Sequence, residues 1–221
     1  MINLVAIAGS PVNDSNTTAF LAEALKVLEG KEDVAVTVFD LSKMNVGDCR
    51  QCNWCLARQT EDRFCVLDDD MAIVLPKVRE CDGLILATPV YFARMSGYLA
   101  AAIDRMRCLH YGRVNKGGMQ YKVGAALAVS WFRNSGLETA LNSLLWAFAT
   151  YQMIIAFPGS VSTFGGAGVA SPHGEGRLEG DDRHQVLQDR HGIIGAQETV
   201  RAMLKLVRLV KAGQKALGQT G

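Results

Sequence analysis

INLVAIAGSPVNDSNT, residues 2–17, is the stretch that decides how this chain folds. Residues 2–8 form a nearly continuous apolar run, as expected of a β-strand buried on both faces, and Gly9-Ser10-Pro11 closes it in a tight loop. Beyond the loop, Leu21, Ala24, Leu25 and Leu28 recur at i, i+3, i+4 and i+7, the apolar stripe of a helix facing a core, and Gly30 follows. The opening unit is strand, loop, helix.

The same alternation continues along the chain. Val34–Phe39 reads as a second strand, followed by a polar, cysteine-bearing crossover at 48–70 and a helix carrying Met71, Leu75 and Val78, which Pro76 is expected to kink or shorten. Gly83–Ala87 is a third strand, and Ser96 can cap a helix with Leu99, Ala102, Ile103 and Met106 inward. Val123–Val129 is a fourth. Ser135 and Glu138 have the spacing of a capping box for a helix with Leu137, Leu141, Leu144, Leu145 and Phe148 on one face, and Met153–Phe157 is a fifth strand. Residues 164–192 show neither period and read as a long loop, a lid or an inter-subunit arm. A last helix turns Val200, Met203, Leu204, Val207 and Val210 inward and Lys205, Arg208, Lys211 and Lys215 to solvent. Strands alternating with helices imply a doubly wound α/β domain: a parallel sheet covered on both faces, with ligands at the carboxyl ends of its strands.

With 221 residues, the chain is long enough for one well-buried domain, 1–221. Its 23 Lys and Arg balance 22 Asp and Glu, so no overall field favours nucleic acid or an anionic membrane as a partner. The N-terminus lacks the basic flank and cleavage site of a signal peptide, and no apolar run reaches the ~18 residues of a spanning helix, so a cytoplasmic protein is expected.

Three loops follow strands one, three and four. In the first, the hydroxyls of Ser10, Ser15 and Thr17 and the amide of Asn16 surround a helix N-terminus, which suits a phosphate monoester without any lysine. The same residues could simply cap the helix. Neither the triphosphatase G-x-x-x-x-G-K-[ST] pattern nor the dinucleotide G-x-G-x-x-G pattern is present. The second loop, Thr88-Pro89-Val90-Tyr91-Phe92-Ala93-Arg94-Met95-Ser96-Gly97, gathers aromatic and apolar groups that a flat ligand ring would cover. The third is Ser130-Trp131-Phe132-Arg133-Asn134-Ser135-Gly136.

Residues 9–17 and 88–105, the latter ending at Asp104-Arg105, resemble the NADPH-dependent FMN reductase and flavodoxin-like quinone reductase families, and the iron-sulfur flavoproteins especially. The resemblance spans residues 1–160 and implies a flavodoxin-like five-stranded sheet of order 2-1-3-4-5 that binds FMN. It implies that Ser10, Pro11, Ser15, Asn16 and Thr17 hold the phosphate, that Thr88, Pro89, Val90, Tyr91 and Phe92 border the isoalloxazine, and that Ser130, Trp131, Phe132 and Arg133 border it from the third loop. That third loop is often glycine-rich in these families; Trp131 and Phe132 stand there in this chain. The resemblance further implies a homo-oligomer, dimer or tetramer.

Cys49, Cys52, Cys55 and Cys65 form the compact thiol set of an iron-sulfur site; a tetrahedral zinc or free thiols are the alternatives. In the iron-sulfur flavoproteins a similar motif holds a 4Fe-4S cluster, with a last spacing shorter than the nine residues between Cys55 and Cys65. Cys81 and Cys108 read as ordinary buried thiols, and His173, His184, His191, Glu175, Asp181 and Asp182 as surface groups. No hydrolase signature is present, and no side chain is assigned as a catalytic acid or base.

The leading expectation is an oxidoreductase that moves electrons through FMN from NAD(P)H or a ferredoxin-like protein to a small acceptor such as a quinone, a flavin or an oxygen species. The competing expectations are a pure electron carrier docking to protein partners and a flavin-free regulatory or metal-sensing domain.

Overall fold

The computed structural model describes residues 1–177 and 183–218; Asp181 and Asp182 lie outside the described residues. Strand β1 (Ile2–Ala8) pairs in parallel with β2 (Val34–Asp40) on one side and β3 (Gly83–Pro89) on the other. β4 (Val123–Ser130) lies beside β3, and β5 (Ile154–Ile155) beside the first half of β4. The sheet order is β2-β1-β3-β4-β5, the doubly wound flavodoxin-like order.

Alternation along the strands divides the core into two layers. Val5, Ile7, Leu84 and Leu86 face α3 (Met71–Glu80), α4 (Gly97–His110) and α5 (Leu137–Thr150). Leu4, Ala6, Ile85 and Leu127 face α1 (Asn16–Leu25) and α6 (Arg190–Ala216). A single turn, α2 (Trp54–Ala57), carries Cys55 in the crossover after β2. Helix α3 continues through Pro76 to Glu80. Among the described residues no helix is long and apolar enough to cross a membrane.

Two expectations need correction. First, residues 164–192 are more than a loop: Gly166–Val169 form β6, parallel to Leu127–Ser130 of β4, so β5 covers one half of that edge and β6 the other. The apolar period is missing because two of the four residues are glycines. A Cβ on Gly166 would stand 2.6 Å from Ala196 Cα of α6, and one on Gly168 would stand 2.9 Å from the Phe20 ring of α1. Bare backbone there lets two helices close on the strand. Second, Ser135 and Glu138 form no capping box. The Ser135 hydroxyl donates to the Phe132 carbonyl at 2.7 Å, and Gly136, at φ 102°, precedes the helix instead. A Cβ on Gly136 would stand 2.4 Å from Ala93 Cα, so the second and third loops meet at this glycine.

The close approach at β6 is testable by urea unfolding. Gly166→Ala is expected to lower stability by about 1–3 kcal/mol through overpacking against α6. Gly213→Ala, with open space around it in the same helix, is expected to be neutral or to stabilise by up to ~1 kcal/mol. Equal midpoints for the two variants would show that α6 does not press on Gly166.

Candidate functional site

The carboxyl ends of β1, β3 and β4 meet at a cleft of about 670 Å³, within the usual size of a small-molecule site. Its geometry begins at Gly9, whose amide donates to the Ala87 carbonyl at 2.8 Å. A Cβ there would stand 2.5 Å from Leu99 Cβ, so only glycine lets α4 pack this close. The Ser96 hydroxyl donates to the Gly9 carbonyl and accepts the Leu99 amide at 3.1 Å, capping α4 and tying the first loop to the second. Thr88 is fully buried, and its hydroxyl accepts the Ser96 amide at 3.0 Å.

At the start of α1, Ser15 and Thr18 exchange bonds: the Thr18 amide donates to Ser15 Oγ at 3.3 Å and the Ser15 amide to Thr18 Oγ1 at 2.9 Å. Ser15 therefore does cap the helix. The Asn16 and Thr17 amides, among the first N–H groups of α1, have no intrahelical acceptor and belong to a helix end that favours an anion. Ser10 is 2 % exposed and its hydroxyl accepts the Val12 amide at 3.1 Å.

The turn Gln185–Gln188 docks on this loop. The Val186 amide donates to Asn16 Oδ1 at 2.9 Å, and His184 Nε2 lies 3.0 Å from Asp14 Oδ1. His184 is thus a clamp between the chain's two ends, whereas His173 and His191 are exposed. The docking brings Arg183 and Gln185 to the cleft wall.

The second loop turns back on itself through paired Tyr91 and Arg94 backbone bonds of 3.0 and 3.2 Å, with Phe92 and Ala93 left-handed. Phe92 is held fully in solvent, while Tyr91 faces the cleft and has its hydroxyl pKa raised by burial. In the third loop, Ser130 Oγ donates to the Phe132 carbonyl at 2.8 Å, and the Arg133 amide to Gly174 at 2.9 Å.

Of the residues expected to hold a cofactor, Ser10, Ser15, Asn16, Thr17, Pro89, Val90, Tyr91, Ser130 and Trp131 line the cleft. Pro11, Thr88, Phe92, Phe132 and Arg133 do not, and Thr88 serves instead by positioning Ser96. Val12, Asn13, Asp14, Val129, Ala170, Arg183 and Gln185 complete the lining. Arg183 and Gln185 carried no local motif; only the docking of a distant turn brings them in.

Toward the far end of α4 lies a second, much smaller pocket. Cys49, Cys52, Cys55 and Cys65 all line it, with Cys108, Arg50, Arg105 and Arg107. All six cysteines are free thiols. Gln51 and Asn53, between the first three cysteines, are both left-handed, at φ 53° and 56°. Burial raises the Cys55 pKa against the pull of Arg107, and raises that of Cys108 further. Cys108 is a buried core thiol, as expected, and it also lines this pocket. Cys81 is buried elsewhere, its pKa pushed up to about 11 by desolvation.

Polar groups brace the pocket walls, Gln59 and Arg105 buried and Arg63 exposed. Gln59 donates to the Phe64 and Cys108 carbonyls at 3.2 and 2.8 Å and accepts the Val114 amide at 3.0 Å. Arg63 donates to the Val66 carbonyl at 3.0 Å with its guanidinium 5.5 Å from the Trp54 ring centre. Arg105 pairs with Asp69 and donates to the Gly47 carbonyl at 2.8 Å, joining both ends of the crossover. Burial would raise the Asp69 pKa, but the bonds from Arg105 and from the Gly47 and Met71 amides hold it low. Among the described residues no three His, Cys, Asp or Glu side chains converge tightly enough to hold a single metal ion.

The NADPH-dependent FMN reductase family matches residues 2–166. An iron-sulfur flavoprotein of Methanocaldococcus jannaschii is 31 % identical over 95 % of this chain and 100 % of its own length. One of Methanosarcina thermophila is 34 % identical over 75 % of this chain and 81 % of its own. Among solved structures, RosB with a bound 8-demethyl-8-formylriboflavin-5'-phosphate intermediate superposes with a TM-score of 0.69 at 14 % identity, covering 100 % of this chain and 88 % of RosB. An NADH:FMN oxidoreductase, EMOB, superposes at 0.57 with 18 % identity and 90 % of each chain covered; both likenesses speak to the fold alone. With the flavodoxin-like sheet, the family match and the full-length relatives in agreement, this chain belongs to the NADPH-dependent FMN reductase family of flavin-dependent oxidoreductases, alongside the iron-sulfur flavoproteins.

Proposed function

We propose that the cleft holds FMN, that Cys49, Cys52, Cys55 and Cys65 hold a 4Fe-4S cluster, and that the protein passes electrons from NAD(P)H or a ferredoxin-like donor to a small acceptor such as a quinone, a flavin or an oxygen species. The observation that carries this reading is the course of α4. Ser96, at its start, fixes the cleft loops; Arg105 and Cys108, farther along, line the cysteine pocket. At 1.5 Å per residue, Ser96 and Arg105 stand roughly 14 Å apart along the helix axis.

The residues suit both groups. For FMN, the N-terminus of α1 with Ser10, Asn16 and Thr17 suits a phosphate, and Pro89, Val90, Tyr91 and Trp131 offer an apolar wall for a planar ring. Arg183 supplies the positive charge that the loop itself lacks. For a cluster, four thiols share one pocket with three arginines that offset thiolate charge. A single ion needs its thiolates gathered within ~2.3 Å of one point, whereas a cluster interposes its own iron and sulfide between them. Bound FMN would supply hydride and single-electron chemistry; the protein's part is to bind the ring, orient it and exclude water.

Electron carriage between proteins is the second reading. What favours it is the aromatic rim: Phe92 is fully exposed, and Trp131 and Phe132 are 48 % and 45 % exposed beside the same cleft. Steady-state oxidation of NADH or NADPH with a small acceptor separates the two readings, because a pure carrier turns over neither.

Flavin-fluorescence titration tests the phosphate assignment, with riboflavin as the control that lacks the phosphate. Thr17→Ala is expected to weaken FMN by about 1–3 kcal/mol, and Arg183→Ala by about fivefold, as befits an exposed ion pair. Riboflavin affinity should stay constant in both. FMN affinity unchanged in both variants would remove the phosphate from this loop.

The cluster assignment is tested by iron and acid-labile sulfide after anaerobic reconstitution. About four of each per chain are expected in the wild type, with loss of most of both in Cys52→Ser. Near-zero iron in the wild type would sink it, as would a Cys52→Ser variant with full iron and an unchanged spectrum.

A further inference from the structure

We infer that Arg105 is a positioning residue of the cysteine pocket whose Nε–H donates a hydrogen bond to sulfur there, and that this bond sets the reduction potential of the cluster. The inference rests on the cluster reading above and extends it to a residue outside the four ligands.

Arg105 is 2 % exposed. One edge of its guanidinium is fully used: Nη1 donates to the Gly47 carbonyl at 2.8 Å and to Asp69 Oδ2, and Nη2 donates to Asp69 Oδ1 at 3.0 Å. Nε, on the other edge, is buried and has no partner. A buried donor left unpaired forfeits its hydration without compensation, and native proteins leave few of them. The guanidinium is a rigid planar fork, so anchoring the Nη edge on Asp69 fixes where the Nε–H points.

Arg105 lines the pocket that the thiols of Cys49, Cys52, Cys55, Cys65 and Cys108 share. Cys65 is near enough to act on it: burial opposes the Arg105 charge, and the Asp69 carboxylate together with the nearby Cys65 sulfur more than restores it. The free donor is thus a cation in a sulfur-lined pocket, and the acceptor it lacks is supplied by a thiolate or sulfide sulfur. Hydrogen bonds to sulfur favour the more negative, reduced state of a cluster and raise its potential.

A merely structural Arg105 would serve only through Asp69, and two substitutions separate the roles. Arg105→Lys keeps a charge to pair with Asp69 but has no Nε–H. Asp69→Asn weakens the anchor but leaves Nε in place. After anaerobic reconstitution, iron per chain and the midpoint potential from an EPR-monitored titration are measured for each protein. Arg105→Lys is expected to retain iron and to become about tenfold harder to reduce, a fall of ~59 mV for one electron. Asp69→Asn, which keeps one acceptor oxygen for the guanidinium, is expected to lose iron faster to a chelator, with its remaining cluster shifted less than that of Arg105→Lys. A wild-type potential in Arg105→Lys overturns the inference.

If Arg105→Lys fails to hold iron, the wild type still decides. Protein labelled with ¹⁵N-arginine should show coupling of a guanidinium nitrogen to the reduced cluster by pulsed EPR. Absence of that coupling overturns the inference while the cluster reading stands; absence of iron from the wild type overturns both.

Discussion

The functional end of this protein depends on the Ser96 hydroxyl. It donates to the carbonyl of Gly9 and accepts the amide of Leu99, so one oxygen links the loop after β1, the loop after β3 and the start of α4. Both loops gain their relative position from that bond and from the contact that glycine at position 9 permits. The helix direction is then set. The rigid rod that begins beside the cleft brings Arg105 and Cys108 to the cysteine crossover. A parallel sheet places binding loops at one edge by topology alone. The Ser96 junction adds a fixed line from that edge into the side of the molecule.

The two sites handle charge differently. The first loop contains no cation and one exposed carboxylate, Asp14, which His184 covers at 3.0 Å. Positive potential there comes from backbone amides, and from Arg183 on a distant turn. The cysteine pocket is built the other way, with three arginines around the thiols. Amides suit a dianion that must enter and leave through an open cleft. Arginines suit thiols that stay with the chain, of which Cys55 is buried and Cys52 exposed.

What could be read from the sequence was whatever each segment states locally. The apolar runs of β1, β3 and β4 lie buried on both faces and show almost unbroken, and Ser15 and Ser96 cap the helices they precede. The cysteine spacing likewise announces a shared pocket, because close neighbours in the chain remain neighbours in space. Partners chosen by tertiary packing were illegible. Strand β6 hides because Gly166 and Gly168 give up their side chains to admit α6 and α1, removing the period that would reveal a strand. Ser135 has the spacing of a cap, yet its hydroxyl turns to Phe132 because the third loop folds back at Gly136. Arg183 reaches the cleft beside His184 and Val186, which bind residues 170 positions earlier in the chain.

Arg105 shows why a buried ion pair is kept where an apolar pair could pack as well. Removing two charges from water costs several kcal/mol per ion, and replacing such a pair with hydrophobic residues is often neutral or stabilising. Stability alone is therefore a weak reason for Arg105 and Asp69. Geometry is a stronger one. Asp69 also accepts the Gly47 and Met71 amides at 3.0 and 3.1 Å, and Arg105 also donates to the Gly47 carbonyl, so the pair closes the crossover at both ends. Between those ends lie Cys49, Cys52, Cys55 and Cys65. An apolar pair would leave Gly47 without its two partners, and the loop carrying the thiols free to open. The cost of burying charge is offset by a fixed spacing of sulfur atoms, and that spacing is what any iron-sulfur chemistry in this pocket requires.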